Sequence, residues 1–226
     1  MRSMFTALSA AAFGLVLAHD PAVALELDFR VTSGSSDATY AETVHAVAGG
    51  YLASVTSPRE ASTMEMDEGF QTLSWAFRVP ADGTDLVAKR TGTAVTVSGR
   101  FKGRPFQKTF DTGGAPWYEY QELSLDAFGA GPAQGILFAT IDRAAMKLVR
   151  FRAQKKGLAE ISIQGRTERA VESVLLVEGI PEFLLRARLW QRQSDGRYLR
   201  LFVPPFGGMG ASTLIELAGE SGTLTE

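Results

Sequence analysis

The 226-residue chain has no cysteine, only two histidines and almost no net charge, at −2. Each shortage excludes a class of function. Without cysteine there is no disulfide framework, no thiolate metal site and no acylated cysteine to anchor a lipoprotein. His19 falls in a leading segment that reads as removable, so His45 stands alone and a histidine-rich zinc site is excluded. A serine triad could use only His45. The Gly-x-Ser-x-Gly elbow it would need is absent, since Ser212 in "GASTL" lacks the second glycine. His45 itself reads as a strand residue near the Gly49-Gly50 turn. Near-neutral charge removes the basic footprint of a nucleic-acid binder.

The start of the chain reads as an address. Arg2 is the only charge before an apolar run from about Phe5 to Ala18, and Ala22-Val23-Ala24 supplies the small residues of a cleavage site. The run falls short of the about 20 residues that span a bilayer. We therefore expect a cleaved signal peptide over 1–24 and one domain over 25–226. The product would be exported to the bacterial periplasm, a location that suits a cysteine-free chain, and would not span the membrane after cleavage.

Beyond residue 24 the dominant period is two. Leu25, Leu27, Phe29 and Val31 alternate with Glu26, Asp28 and Arg30. Leu73, Trp75, Phe77 and Val79 alternate with Ser74, Ala76 and Arg78. Such alternation marks strands with one buried face. Turn signals follow at strand spacing, at 49–50, 81–85, 98–105, 155–157, 164–166 and 194–196. Few helical stretches separate them, so the pattern predicts a mainly β fold: a curved antiparallel meander, as a half-barrel or open barrel. One helix is expected near 116–128, entered at Pro116 and stopped by "GAGP" at 129–132.

The hairpin around Asp195 allows a register to be chosen. A two-residue Asp-Gly loop would mix polar and apolar faces. A three-residue Ser-Asp-Gly loop pairs Leu189 with Leu201 and Ala187 with Val203. It leaves Arg192–Tyr198, Trp190–Arg200 and Arg188–Phe202 on the other side.

Few motifs carry chemistry. Asp111 opens an Asp-Thr-Gly triplet like that of aspartic proteases, in which two such aspartates share a proton. No second triplet occurs, and Gly114 follows where that family has serine or alanine, so Asp111 reads as a turn residue. A hydrolase using Asp111 stays open as a minor reading; the chain is otherwise expected not to be an enzyme. Glu65, Asp67 and Glu68 miss the calcium-loop spacing and read as a solvated strand end. No cofactor and no metal are expected. Arg188, Trp190 and Arg200 form an Arg/aromatic ladder, and Phe206 sits in a Gly- and Pro-rich loop. These four are the candidate partner-binding residues.

The aromatic "WYEY", the strand ending in "KKG" before "LAEISIQGR", and "LWQRQSDGRYLRLFVPPFGG" leading to "TLIEL" carry a resemblance. From about Trp117 to Leu217 the chain resembles a group of uncharacterised bacterial periplasmic proteins of the LolA/LolB-like half-barrel type. The resemblance implies a curved antiparallel sheet around an apolar cavity, with helices as a lid, in a family whose best-known members carry or receive lipid-modified proteins. It transfers no role residue by residue. The function expected is a non-enzymatic periplasmic protein that binds or carries a lipid or acyl chain in a half-barrel cavity. Leu27, Phe29, Trp75, Phe77, Leu189 and Leu201 would line that cavity and the helix at Trp117 would cover it. The alternative is an envelope assembly or scaffold protein that binds another envelope protein through the Arg/aromatic surface, with no small ligand.

Overall fold

The computed structural model of the protein describes residues 24–224. The segment read as a signal peptide lies, but for Ala24, outside the described residues. The first half of the chain is eight strands: β1 (Ala24–Ser33), β2 (Ser36–Val47), β3 (Gly50–Thr56), β4 (Ala61–Asp67), β5 (Thr72–Val79), β6 (Thr84–Thr91), β7 (Ala94–Phe101) and β8 (Arg104–Asp111). Two short helical turns follow, α1 (Gln121–Ser124) and α2 (Asp126–Ala130). Six strands complete the chain: β9 (Gly135–Asp142), β10 (Lys147–Ile163), β11 (Arg166–Val177), β12 (Arg186–Arg192), β13 (Tyr198–Val203) and β14 (Thr213–Ser221).

All fourteen form one antiparallel sheet in the order β8-β7-β6-β5-β4-β3-β2-β1-β14-β13-β12-β11-β10-β9. Two meanders are thus joined back to back by the pairing of β1 with β14. The outermost strands, β8 and β9, are consecutive in the chain. They share no ladder, so the sheet is an open, curved half-barrel. At this seam the Lys108 ammonium donates to the Met146 carbonyl (3.4 Å), and Arg150 donates to the carbonyls of Asp111 (3.3 Å) and Thr112 (3.2 Å).

The alternation in β1 is realised as read: Leu25, Leu27 and Phe29 are buried while Glu26, Asp28 and Arg30 are exposed. In β5 a bulge intervenes. Glu65 pairs with Ser74 and Met66 with Thr72, which leaves Leu73 as the extra residue. Thr72 is therefore buried and Leu73 turned outward, while Trp75 and Phe77 keep their inward places. The expected turn at 155–157 is also a bulge. β10 runs unbroken from Lys147 to Ile163, with its register shifting between Lys155 and Gly157. Gly157 sits at φ +150°, a conformation open to glycine. The strand bends there instead of reversing, which lets a 17-residue strand follow the curve of the sheet.

The β12–β13 hairpin pairs Leu189 with Leu201, Trp190 with Arg200 and Arg188 with Phe202, as the three-residue loop required. A register shift beyond Trp190 sets Gln191, not Arg192, opposite Tyr198, and so places both Gln191 and Tyr198 among the buried residues.

Candidate functional site

The helix expected near 116–128 is helical only in its second part, as α1 and α2, and its first part is extended. Residues Pro116–Tyr120 cross from one side of the sheet to the other. The Tyr118 amide donates to the Ala139 carbonyl and the Ala139 amide to the Pro116 carbonyl (both 2.8 Å), while the Thr72 amide donates to the Trp117 carbonyl (2.9 Å). The segment is therefore tied to β9 on one flank and to β5 on the other. Trp117 is fully buried beneath it, its indole N–H donating to Glu119 (3.0 Å).

α1 and α2 then lie on the β4–β5 turn and the β12–β13 hairpin. The Ser124 hydroxyl donates to the Phe70 carbonyl (2.9 Å), and the Gln191 amide donates to the Leu125 carbonyl (2.6 Å). Asp126 accepts from the Arg197 guanidinium (2.6 Å) and from the Tyr198 amide (3.2 Å). The hairpin approaches so closely that a Cβ at Gly196 would stand 1.9 Å from the Asp126 carbonyl oxygen. Helices of four and five residues hold no shape alone in water. Their form here comes from these contacts.

Under this cap the inner face is apolar at the walls and polar at the centre. The six residues expected to line a cavity, Leu27, Phe29, Trp75, Phe77, Leu189 and Leu201, and Trp117, expected to cover it, all belong to one buried cluster. Trp75 stacks on Phe77 (5.2 Å), and its indole N–H is satisfied by Ser62 (2.7 Å). Phe29 stacks on Tyr40 (5.0 Å) and meets Tyr198 edge-on (5.6 Å).

Sequence reasoning missed the polar centre. Glu42 on β2 faces inward opposite Leu27 and Val55, with 0% of its surface exposed. Among the described residues neither of its carboxylate oxygens has a hydrogen-bond partner, and the buried Tyr198 hydroxyl has none either. Tyr40 donates to Glu122 on α1 (2.9 Å). Burial first, and then the nearby Glu122 and Asp126 carboxylates, push the Glu42 carboxyl well above its usual range, against the pull of Arg197 and Arg143.

From the turn after β9, Arg143 reaches in to bond Glu60 (3.0 Å) and the Tyr120 hydroxyl (3.3 Å), passes 3.9 Å from Glu119, and lies over the rings of Phe77 (5.3 Å) and Tyr120 (5.2 Å). Glu119 accepts from Trp117, Thr140 and the Ile141 amide, yet burial still raises it to about 7. One signal could have found Glu42. Tyr40, Glu42 and Val44 share a period-two face, so an acid was being sent to the same side as two core residues.

The four partner-surface candidates do not form one patch. Trp190 is buried on its strand beneath Arg188 (4.7 Å) and Arg200 (6.0 Å). Both arginines are already paired, Arg188 with Glu172 (2.9 Å) and Arg200 with Glu216 (2.7 Å). Phe206 lies apart, in the β13–β14 loop. That loop is joined to the β11–β12 loop by the Gly207 amide donating to the Leu184 carbonyl (2.9 Å). Together the two loops present Phe183, Met209 and Phe206 at 84%, 78% and 52% exposure. Asp111 caps its own turn: its carboxylate accepts from the Gly113 amide (2.9 Å), a bond that holds its carboxyl below the usual range.

Solved structures match the chain to differing degrees. A beta-barrel-like protein of the domain of unknown function DUF1849 from Brucella abortus superposes with a TM-score of 0.58 at 11% identity, over 90% of this chain and 99% of that one. The likeness is one of fold. It spans both halves of the chain, whereas the resemblance read from sequence was confined to about Trp117–Leu217. A LolA superfamily protein from Nitrosomonas europaea matches at a TM-score of 0.28 and 10% identity, over 88% of this chain and 84% of that one. MucB of Pseudomonas aeruginosa, in its complex with MucA, matches at 0.38 and 9%, over 91% of this chain; the chain spans 54% of that one. No protein-family model and no curated protein sequence matches the chain. Among the described residues no helix is long and apolar enough to cross a membrane.

Proposed function

We propose that this chain is a non-enzymatic binding protein of the bacterial periplasm, and that it takes a lipid or acyl chain between the inner face of the half-barrel and the 112–130 cap. One observation supports this reading above the others. The sheet is open at the β8–β9 seam, and its large apolar inner face is covered by a segment whose helical turns are too short to stand alone, tied by a few hydrogen bonds and packed inward through Trp117, Tyr120, Leu123, Leu125 and Phe128. Swinging that segment away would expose Trp75, Phe77, Leu27 and Phe29 to a ligand, with Trp117 turning from core residue to lid. Burial of an acyl chain contributes about 0.8 kcal/mol per methylene, so a long tail can offset the hydrogen bonds and packing given up as the cap opens.

The test is native mass spectrometry of the protein purified from a bacterial periplasm, with organic extraction of what it carries. Near-stoichiometric lipid supports the proposal. A clean apo mass that stays unchanged after incubation with lipid vesicles ends it.

A second reading, a partner-binding envelope protein, draws on the exposed Phe183, Phe206 and Met209 rather than on Arg188 and Arg200, whose charges are already matched. Replacing Phe183 and Phe206 by serine would abolish partner capture under this reading and leave lipid uptake intact under the first.

A further inference from the structure

The ligand's tail would account for the apolar walls but not for the centre. Three acids come within electrostatic reach of one another there, Glu42, Glu122 and Asp126, and among the described residues Arg197 and Arg143 are the cations that act on Glu42. Each arginine already contacts other acids than Glu42 and Glu122. Arg143 holds Glu60 and flanks Glu119, and Arg197 holds Asp126 and Glu220. Among the described residues no cation is in contact with Glu42 or Glu122. Glu42 is wholly buried with both oxygens unpartnered, beside an unpartnered tyrosine hydroxyl. Native interiors rarely leave such groups unmet, because each costs the full desolvation of an unbonded polar atom.

The chemistry of the cluster limits what could meet it. An anionic head would add to an excess of acids. A metal ion would need more carboxylates in one place, and among the described residues no group of three or more Asp, Glu or His is placed to hold one. A primary ammonium supplies three donors and one positive charge. That matches two carboxylates and a hydroxyl able to accept.

We propose that Glu42, Glu122, Tyr40 and Tyr198 form the head-group site for an amphiphile bearing a primary ammonium, whose tail runs along the inner face. The proposal rests on the lipid-binding reading above and deepens it. The raised Glu42 carboxyl is consistent with it: burial holds the group toward its neutral form, and an ammonium beside it would favour the ionised one.

The experiment is titration of the full folded chain with dodecylammonium, dodecanol and dodecanoate below their micelle concentrations, followed by tryptophan fluorescence. Wild type is compared with Glu42→Gln and Tyr198→Phe, each first checked by circular dichroism for the native β signature. Wild type should bind dodecylammonium at least about tenfold tighter than dodecanoate, the discrimination expected of one charge-assisted hydrogen bond. Glu42→Gln should erase the preference, and Tyr198→Phe, which leaves every carboxylate in place, should reduce it. Equal affinity of wild type for all three probes, or a preference unchanged in Glu42→Gln, overturns the head-group site while leaving lipid binding standing. Failure of every probe to bind removes the lipid-binding reading itself, and this proposal with it.

Discussion

Replacing Glu42 by leucine should make the protein more stable. The side chain sits on β2 between Leu27 and Val55, fully buried, with two oxygens that no donor among the described residues reaches. An unmet buried polar group costs about 1–3 kcal/mol. At neutral pH the carboxyl carries a further penalty, since burial and the Glu122 and Asp126 carboxylates hold it toward the neutral form. Leucine has a similar volume, so it should neither open a cavity nor overpack the site by much, an effect typically under about 1.5 kcal/mol. A net gain of about 2 kcal/mol is expected at pH 7. For a domain of this size that raises the melting temperature by about 4–8 °C. Urea unfolding should show a higher midpoint with an unchanged slope, the signature of altered stability rather than altered compactness. Glu42→Gln should gain less, because its amide brings donors and acceptors that also lack partners. A Glu42→Leu variant less stable than wild type would refute the reasoning, since it would mean the carboxylate is a satisfied part of the core. If stability rises while ammonium binding disappears, the residue is one retained for function at the expense of stability.

Two further outcomes follow from the cap. Gly196→Ala should be severely destabilising, because the added Cβ would stand 1.9 Å from the Asp126 carbonyl and 2.6 Å from the Ala130 amide at φ +76°. Loss of more than about 2 kcal/mol in urea unfolding is expected, and a neutral effect would show that the hairpin does not press on α2. Stability should also fall as pH rises from 4.5 to about 7, the ordinary and folded values of Glu119. Over that window the native state binds a proton that the unfolded chain has released, so the slope of stability against pH is negative, and above it the penalty is constant. The Glu119 share is on the order of 3 kcal/mol. Urea midpoints across the window should show a shallower decline for Glu119→Gln, and an identical decline in the two proteins would contradict the assignment.

How far the sequence could be read depended on whether a feature is local. Strict alternation made β1 legible, and face-matching around Asp195 gave the β12–β13 register through Leu189–Leu201 from the sequence alone. Bulges defeated the same reasoning. Leu73 and Gly157 keep the composition of a strand face and of a turn, yet each takes its role from the strand opposite, which a single segment does not reveal. The cap was legible as an interruption at Pro116. Its first five residues are extended because Trp117 finds backbone partners on β5 and β9, two strands distant from each other in sequence. The polar centre was the hardest to see. Glu42, Glu122 and Tyr198 come from β2, α1 and β13, and only the joining of two meanders through β1 and β14 brings them together. The expected lining residues are all buried in one cluster, since apolar alternation reports burial well. It does not distinguish a core from a ligand wall.

That distinction is the central claim, and photolabelling tests it most directly. An acyl chain carrying a diazirine near its end would be incubated with the full chain, irradiated, and the modified peptides mapped by mass spectrometry. Labels concentrated on β1, β5 and the 112–130 segment, around Phe29, Trp75, Phe77 and Trp117, are the predicted result. Labels confined to the Phe183 and Phe206 loops, or none above background, would contradict the account and make the inner face a closed core.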